Sequence, residues 1–288
     1  MSKKKGKDNE KNYDSIRQKF YKFLREQEII IELCDFSNGC NDLNEPIEIE
    51  EKKNRNKNKK NTTKLQKVII ADRNCILDSQ PDIERIWRIE LEKEIKGLEG
   101  FKTEAKTTEI ALLILKKRRT KEGTRKYTLY IILIELKTTL TIKESLESRS
   151  RKIKDKAGDL GSIANKFRCS MNRMYMLLTL NDHRNSNQGF QKDDIDIEFK
   201  GLIFYNTDSI DESKIEENSY DRQMYKILKQ EDNLLRFQTL LYPEDKIAIE
   251  FIKNQDSKPK SMSIEFQEIL EKLNIIKRKN EDESTHQD

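Results

Sequence analysis

The feature that most constrains this chain is a run of six apolar residues, Leu129-Tyr130-Ile131-Ile132-Leu133-Ile134, that ends directly in Glu135-Leu136-Lys137. A short apolar run without alternation predicts a strand covered on both faces and therefore central in its sheet. On a strand, positions i and i+2 share a face, so Glu135 and Lys137 project side by side from the end of that buried strand. Burying such charges is costly unless they pair with each other or bind something. The plain alternative is a salt bridge at a strand end, because a Glu-x-Lys triplet arises easily in a chain with 38 % charged residues.

The surrounding pattern predicts an α/β chain. Residues 110–115 form an apolar strand, and the charged stretch 116–126, with Glu122-Gly123 in its middle, connects it as a hairpin to the strand that ends in Glu135. Residues 103–108 predict a further strand. Upstream, Ser79-Gln80-Pro81 has the chemistry of a helix start, and Ile83, Ile86, Trp87, Leu91, Ile95 and Leu98 recur at helical spacing. A helix over 82–98 is expected, stopped by Gly97 and Gly100, with Trp87 in its apolar stripe. Beyond the motif, 143–156 is charged and helical in character, and Gly158 and Gly161 separate it from a second segment through Cys169. Residues 174–180 and 201–205 predict strands, 220–229 a helix, 247–252 a strand and 264–276 a helix.

The expected organisation is a disordered basic tail (1–12), an N-terminal helix and short strand (13–50), a basic linker or loop (51–67), an α/β core (68–205), a C-terminal α/β addition (206–276) and a disordered tail (277–288). In the N-terminal part the helix is carried by Tyr13, Ile16, Phe20, Phe23 and Leu24, and the strand by Ile29-Ile30-Ile31.

Composition removes several classes of chemistry. No apolar run approaches the ~18–20 residues of a membrane helix, and the basic opening residues 1–7 lack the apolar stretch of a signal peptide. A cytoplasmic protein without a membrane partner is expected. The four cysteines, Cys34, Cys40, Cys75 and Cys169, make no CxxC pair, and no disulfide framework is expected. With only His183 and His286 as histidines, sites built on His and Cys are poorly supplied. A metal here would be a hard cation on carboxylates, Mg²⁺ or Mn²⁺. The net charge of +5 is compatible with a polyanion partner, although 57 basic and 52 acidic residues describe a mixed surface first.

The Glu135-Leu136-Lys137 triplet, the strand hairpin before it and the expected helix–strand–strand–strand–helix–strand order resemble the PD-(D/E)xK nuclease superfamily over about half the chain. The resemblance implies a restriction-endonuclease-like mixed sheet (helix, three antiparallel strands, helix, strand), carrying N- and C-terminal helical additions. It implies Mg²⁺- or Mn²⁺-dependent hydrolysis of nucleic acid, DNA preferred over RNA, by an endonuclease of restriction, defence or mobile-element type, and it allows a homodimer. Glu135 would bind the metal, and Lys137 would orient or deprotonate the attacking water. The hairpin sets Glu109 opposite or nearly opposite Glu135, about 5 Å apart across the strands, which makes Glu109 the partner acid in place of Glu104 or Asp82. A hairpin loop of odd length keeps Glu109 and Glu135 on one face; a two-residue loop at Glu122-Gly123 sets Ile110 opposite Glu135 instead. Glu90, or Glu94, resembles the additional helix acid of many family members, and Glu90 is taken as a third metal ligand. Lys143, Arg149, Arg151 and Lys152 are candidate phosphate contacts beside the site. The chain departs from the family in having Glu at 109 and no Pro before it, and in lacking a QxxxY element. The alternative function is a non-catalytic nucleic-acid- or protein-binding module.

Overall fold

The computed structural model describes residues 23–35, 45–50, 65–71, 82–95, 107–119, 125–142, 159–180, 195–255 and 260–276. The expected tails 1–12 and 277–288, residues 51–64 of the basic segment, the strand at 103–106 and the charged stretch 143–156 lie outside them.

The described residues include ten strands and three α-helices, which follow in chain order. They are β1 (Ile30–Asp35), β2 (Ile47–Glu50), β3 (Lys67–Ala71), β4 (Ile83–Glu90), β5 (Ile110–Arg119), β6 (Arg125–Leu140), α1 (Leu160–Leu180), β7 (Ile195–Asp208), α2 (Tyr220–Leu228), β8 (Leu234–Phe237), β9 (Asp245–Lys253), β10 (Ser261–Glu265) and α3 (Phe266–Lys272). Seven strands make one mixed sheet in the order β1-β4-β5-β6-β7-β9-β8, and β10-β3-β2 make a second. From β1 to β6 neighbours are antiparallel, whereas β7 lies parallel to β6 and β9 parallel to β7.

The apolar run of β6 sits at the centre of the large sheet because both of its faces are covered. Ile131 and Leu133 face the layer of α1 and α2, with Phe167, Met171 and Met224. Ile132, Ile134 and Leu136 face the other way, against Val68 and Ile70 of the second sheet and Phe266 and Leu270 of α3. Three layers result, with two apolar interfaces. No helix among the described residues is long and apolar enough to cross a membrane.

This architecture corrects the helix-first, restriction-endonuclease-like order and its helical additions. Within the expected opening helix at 82–98, Ile83–Glu90 is strand β4, and the segments on either side of the central strands contribute β1, β2, β3, β8, β9 and β10. The three-residue spacing of Ile83, Ile86 and Ile89 is real, but it arises from a register shift between Ile83 and Arg85 combined with burial on both faces. Ile83 and Ile86 belong to the layer of the second sheet, while Trp87, Ile89 and Leu91 pack toward α1 and α2. A bulged strand that is covered twice loses its two-residue period.

The expected strand at 174–180 is the last third of α1. Leu160, Ile163, Ala164, Phe167, Met171, Met174 and Tyr175 form one buried helical stripe, and a window of seven residues is too short to show it. Gly161 does not break this helix. It stands in the first turn, where its N–H donates to Asp159 Oδ1 at 3.0 Å and to Asp221 Oδ1 at 2.8 Å. The helix expected at 264–276 begins as β10 and turns helical at Phe266. Cys34 is disulfide-bonded, against expectation, and Cys169 is free.

Helix α1 approaches the sheet over Gly201 of β7. A Cβ at that position would stand 3.1 Å from Phe167 Cε1 and 2.9 Å from Ile249 Cγ1. Both neighbours are buried side chains with little room to retreat. Gly201→Val should therefore destabilise the fold by about 1–3 kcal/mol through overpacking, read as a lowered urea midpoint at unchanged m. An unchanged midpoint would show that the helix is not seated tightly there.

Candidate active site

The pleat of β6 places Glu135 and Lys137 on the same face as Ile131 and Leu133, toward α1. Strand β5 pairs with β6 through Ile110↔Ile134 at one end and Arg119↔Arg125 at the other, with five residues between the last pair. That odd loop puts Glu109, just before β5, opposite Glu135, where the β5 ladder stops while β6 continues to Leu140 beside β7. Its N–H donates to the Ile134 carbonyl at 3.1 Å, and its Oε2 accepts the Leu136 N–H at 3.0 Å. The Glu109 side chain thus takes over a β6 backbone donor where the β5 ladder stops.

Helix α1 closes the site from above. Lys166 Nζ lies 2.6 Å from Glu135 Oε1 and 3.9 Å from Glu109 Oε1. Lys137 Nζ is ion-paired with Glu135 Oε1 and donates to the Leu136 carbonyl at 3.1 Å. One turn beyond Lys166, Ser170 Oγ accepts the Thr108 N–H at 2.9 Å and stands 3.0 Å from Thr108 Oγ1. Thr107 Oγ1 donates to the Leu91 carbonyl at 3.1 Å. These bonds fix the short segment 107–109 against both α1 and the end of β4, so Glu109 is held from two sides. The side chains of Glu135, Glu109 and Lys137 are 0 %, 6 % and 7 % exposed, and that of Lys166 is 13 % exposed.

Burial and the charges inside this cluster split the two acids. Burial, followed by repulsion from Glu135, pushes the Glu109 carboxyl well above its ordinary range, and Lys137 and Lys166 recover only part of that. Burial also acts to raise Glu135, but the two ammonium groups beside it outweigh burial and hold it below its ordinary range. Lys166 is raised in turn: burial opposes its charge, and Glu135 and Glu109 more than compensate. Of the two acids, Glu109 is therefore the one that holds its proton more tightly. Glu135 Oε2 is a buried oxygen with no hydrogen-bond partner.

Of the residues singled out from sequence, Glu109, Glu135 and Lys137 come together. Glu90 does not. It lies opposite Ile110 on the face toward the second sheet, and Arg88 Nε holds its Oε1 at 2.6 Å. The helix that was to aim Glu90 at the metal is a strand, and its alternation sends Glu90 away. Glu94 is exposed in the turn after β4. Asp82 stands at the opposite end of β4, where its carbonyl accepts the Lys117 N–H at 2.7 Å. Glu104, Lys143, Arg149, Arg151 and Lys152 lie outside the described residues. Sequence reasoning missed Lys166 and Ser170. The Ile163–Phe167–Met171 spacing was the signal, since it continues α1 through both of them.

Among the described residues no group of three or more His, Cys, Asp or Glu side chains is arranged to hold a metal. The donor set is two carboxyls, with Glu135 Oε2 unsatisfied. Hard oxygen donors of this kind fit Mg²⁺ or Mn²⁺, which take one or two carboxylates and keep several waters. Comparison of the chain with protein-family models, with curated proteins and with solved structures gives no match.

The raised Glu109 carboxyl has a signed consequence for stability. A carboxyl whose folded pKa is raised contributes stability that is fully present below its unfolded value, near 4.5, and lost as pH rises through the folded value. Glu109→Gln keeps an acceptor for Leu136 but cannot ionise. Its Tm relative to the parent chain should therefore climb as pH rises from about 5 to about 8. A Tm difference that stays flat across this window would mean that Glu109 ionises normally.

Proposed function

We propose that this chain is a divalent-cation-dependent phosphodiesterase acting on nucleic acid, a DNA endonuclease in preference to an RNA one. The supporting observation is the pair of facing, buried carboxyls Glu109 and Glu135, one with an unpartnered oxygen, flanked by the ammonium groups of Lys137 and Lys166. The resemblance of Glu135-Leu136-Lys137 to the (D/E)xK element supports the reading at the level of the side chains.

In this reading Glu109 and Glu135 hold Mg²⁺ or Mn²⁺. A bound cation of this type supplies charge for the phosphate oxygens and lowers the pKa of a water it carries. Glu109 must release its proton before it can act as a ligand, so the affinity of the site for a cation rises with pH. Lys137, anchored by the Leu136 carbonyl, presents a positive charge beside the carboxylates, where it orients the attacking water and offsets charge developing on the phosphate. The apolar walls from β6 and α1 keep bulk water from screening these charges.

One observation favours a second reading, a non-catalytic nucleic-acid- or protein-binding module. Lys137 and Lys166 already pair with Glu135, so that carboxylate has its counter-charges without a cation. The two readings diverge experimentally. For the enzyme, cleavage of plasmid DNA should stop in EDTA and return with Mg²⁺ or Mn²⁺. Lys137→Ala should lower the cleavage rate by about a hundredfold or more while DNA affinity stays nearly unchanged, because one positioned ammonium acts mainly in the transition state. Cleavage that survives chelation would remove the cation from the mechanism. Equal losses of binding and cleavage in Lys137→Ala would make Lys137 a phosphate anchor, and no cleavage under any condition would favour the binding module.

A further inference from the structure

Lys166 reaches the site from the helix layer, and its position relative to the two acids is unusual. Its Nζ stands 2.6 Å from Glu135 Oε1 and 3.9 Å from Glu109 Oε1, so a single positive charge serves two carboxyls from different chain segments. A cation held by the same two side chains would have to neutralise the same pair of charges. The lysine does this incompletely. An ammonium has three N–H directions, and Glu135 Oε2 remains buried without a donor.

The two lysines of the site also differ in how they are held. Lys137 belongs to β6 and is tied to the neighbouring Leu136 carbonyl. Lys166 stands on α1, and the hydrogen bond that holds its ammonium goes to Glu135. Glu92, exposed in the turn after β4, adds a weaker attraction to Lys166. The four-carbon stem of Lys166 can carry its ammonium off the two buried acids by rotamer changes alone.

We propose that Lys166 is a displaceable stand-in for the divalent cation. Its ammonium bridges Glu109 and Glu135 in the cation-free chain and swings off them when Mg²⁺ or Mn²⁺ takes the carboxylates. The inference rests on the reading of Glu109 and Glu135 as cation ligands and adds a second state to that site. It explains how two buried acids and their surroundings fold without a metal: the lysine supplies the charge. It also sets a cost on cation binding, because each cation must displace an ammonium.

The test uses the full chain, with Mn²⁺ as the probe. Mn²⁺ affinity is measured by calorimetry or by electron paramagnetic resonance for the parent chain and for Lys166→Met, which keeps much of the stem and removes the charge. Displacement predicts about tenfold tighter Mn²⁺ binding by Lys166→Met, since a competing charge is gone. A second readout needs no variant and so does not depend on the variant's folding. Acetylation of the parent chain, read by mass spectrometry, should modify Lys166 several-fold faster in saturating Mn²⁺ than in EDTA. Mn²⁺ binding with Lys166 acetylation unchanged, or with the same affinity in Lys166→Met, would overturn displacement and leave the cation site standing. Binding by Lys166→Met but not by the parent chain would make Lys166 a permanent occupant and would likewise overturn displacement. Failure of both chains to bind Mn²⁺ would overturn the cation site itself, and the inference with it.

Discussion

Glu135 is a carboxylate with no exposed surface inside the central strand of the large sheet, and its surroundings follow from the cost of keeping it charged there. Its own strand supplies Lys137 two positions away, which the pleat places on the same face. Helix α1 supplies Lys166 from above. Strand β5 ends where it must for Glu109 to take the backbone N–H of Leu136, and that second carboxyl yields its charge before Glu135 does. Each neighbour has a structural duty. An isolated salt bridge of Glu135 with Lys137 would have required neither Glu109 nor Lys166.

The layers exist to bring those neighbours within reach. A strand apolar on both faces cannot stand at an edge or face water, so the sheet extends to either side of β6 and a layer packs on each face. The face that carries Glu135 receives α1. The contact over Gly201 lets Phe167 settle onto β7, one residue along the helix from Lys166. Packing and chemistry are therefore set by the same few residues: a helix seated less closely would carry its ammonium away from the acids. Asp221 strengthens this seating by taking the Gly161 N–H, which ties the start of α1 to the start of α2.

The central hairpin was legible because each signal was local. An apolar run, a charged turn and a second apolar run define β5 and β6, and the parity of the connection decides whether Glu109 and Glu135 share a face. Segment 83–90 was illegible for a physical reason. Its apolar residues serve two different interfaces and are interrupted by a bulge, so their spacing imitates a helix. Placing Glu90 beside the metal failed with that assignment, because the face of a side chain is only as reliable as the period from which it is read. The helix at 160–180 was missed for the opposite reason. It was divided at its glycine and read in pieces shorter than the stripe that defines it.

By itself the sequence determined that a buried strand would carry a carboxylate and an ammonium on one face, and it offered a hairpin that brings a second acid to them if its loop is odd. Periodicity acts over neighbouring residues, so the first needed no distant contact; the pairing Ile110↔Ile134 settled the second. Tertiary structure alone decided that Lys166 stands between the acids, that Ser170 fixes Thr108, and that Glu90 looks toward the other layer. It also decided that residues 67–71 and 261–265, nearly two hundred positions apart, pair as parallel strands β3 and β10 beneath the central sheet. These contacts join segments whose local patterns carry no information about one another. They form because a two-faced sheet must be covered on both sides and a buried charge must be answered by whichever chain passes closest.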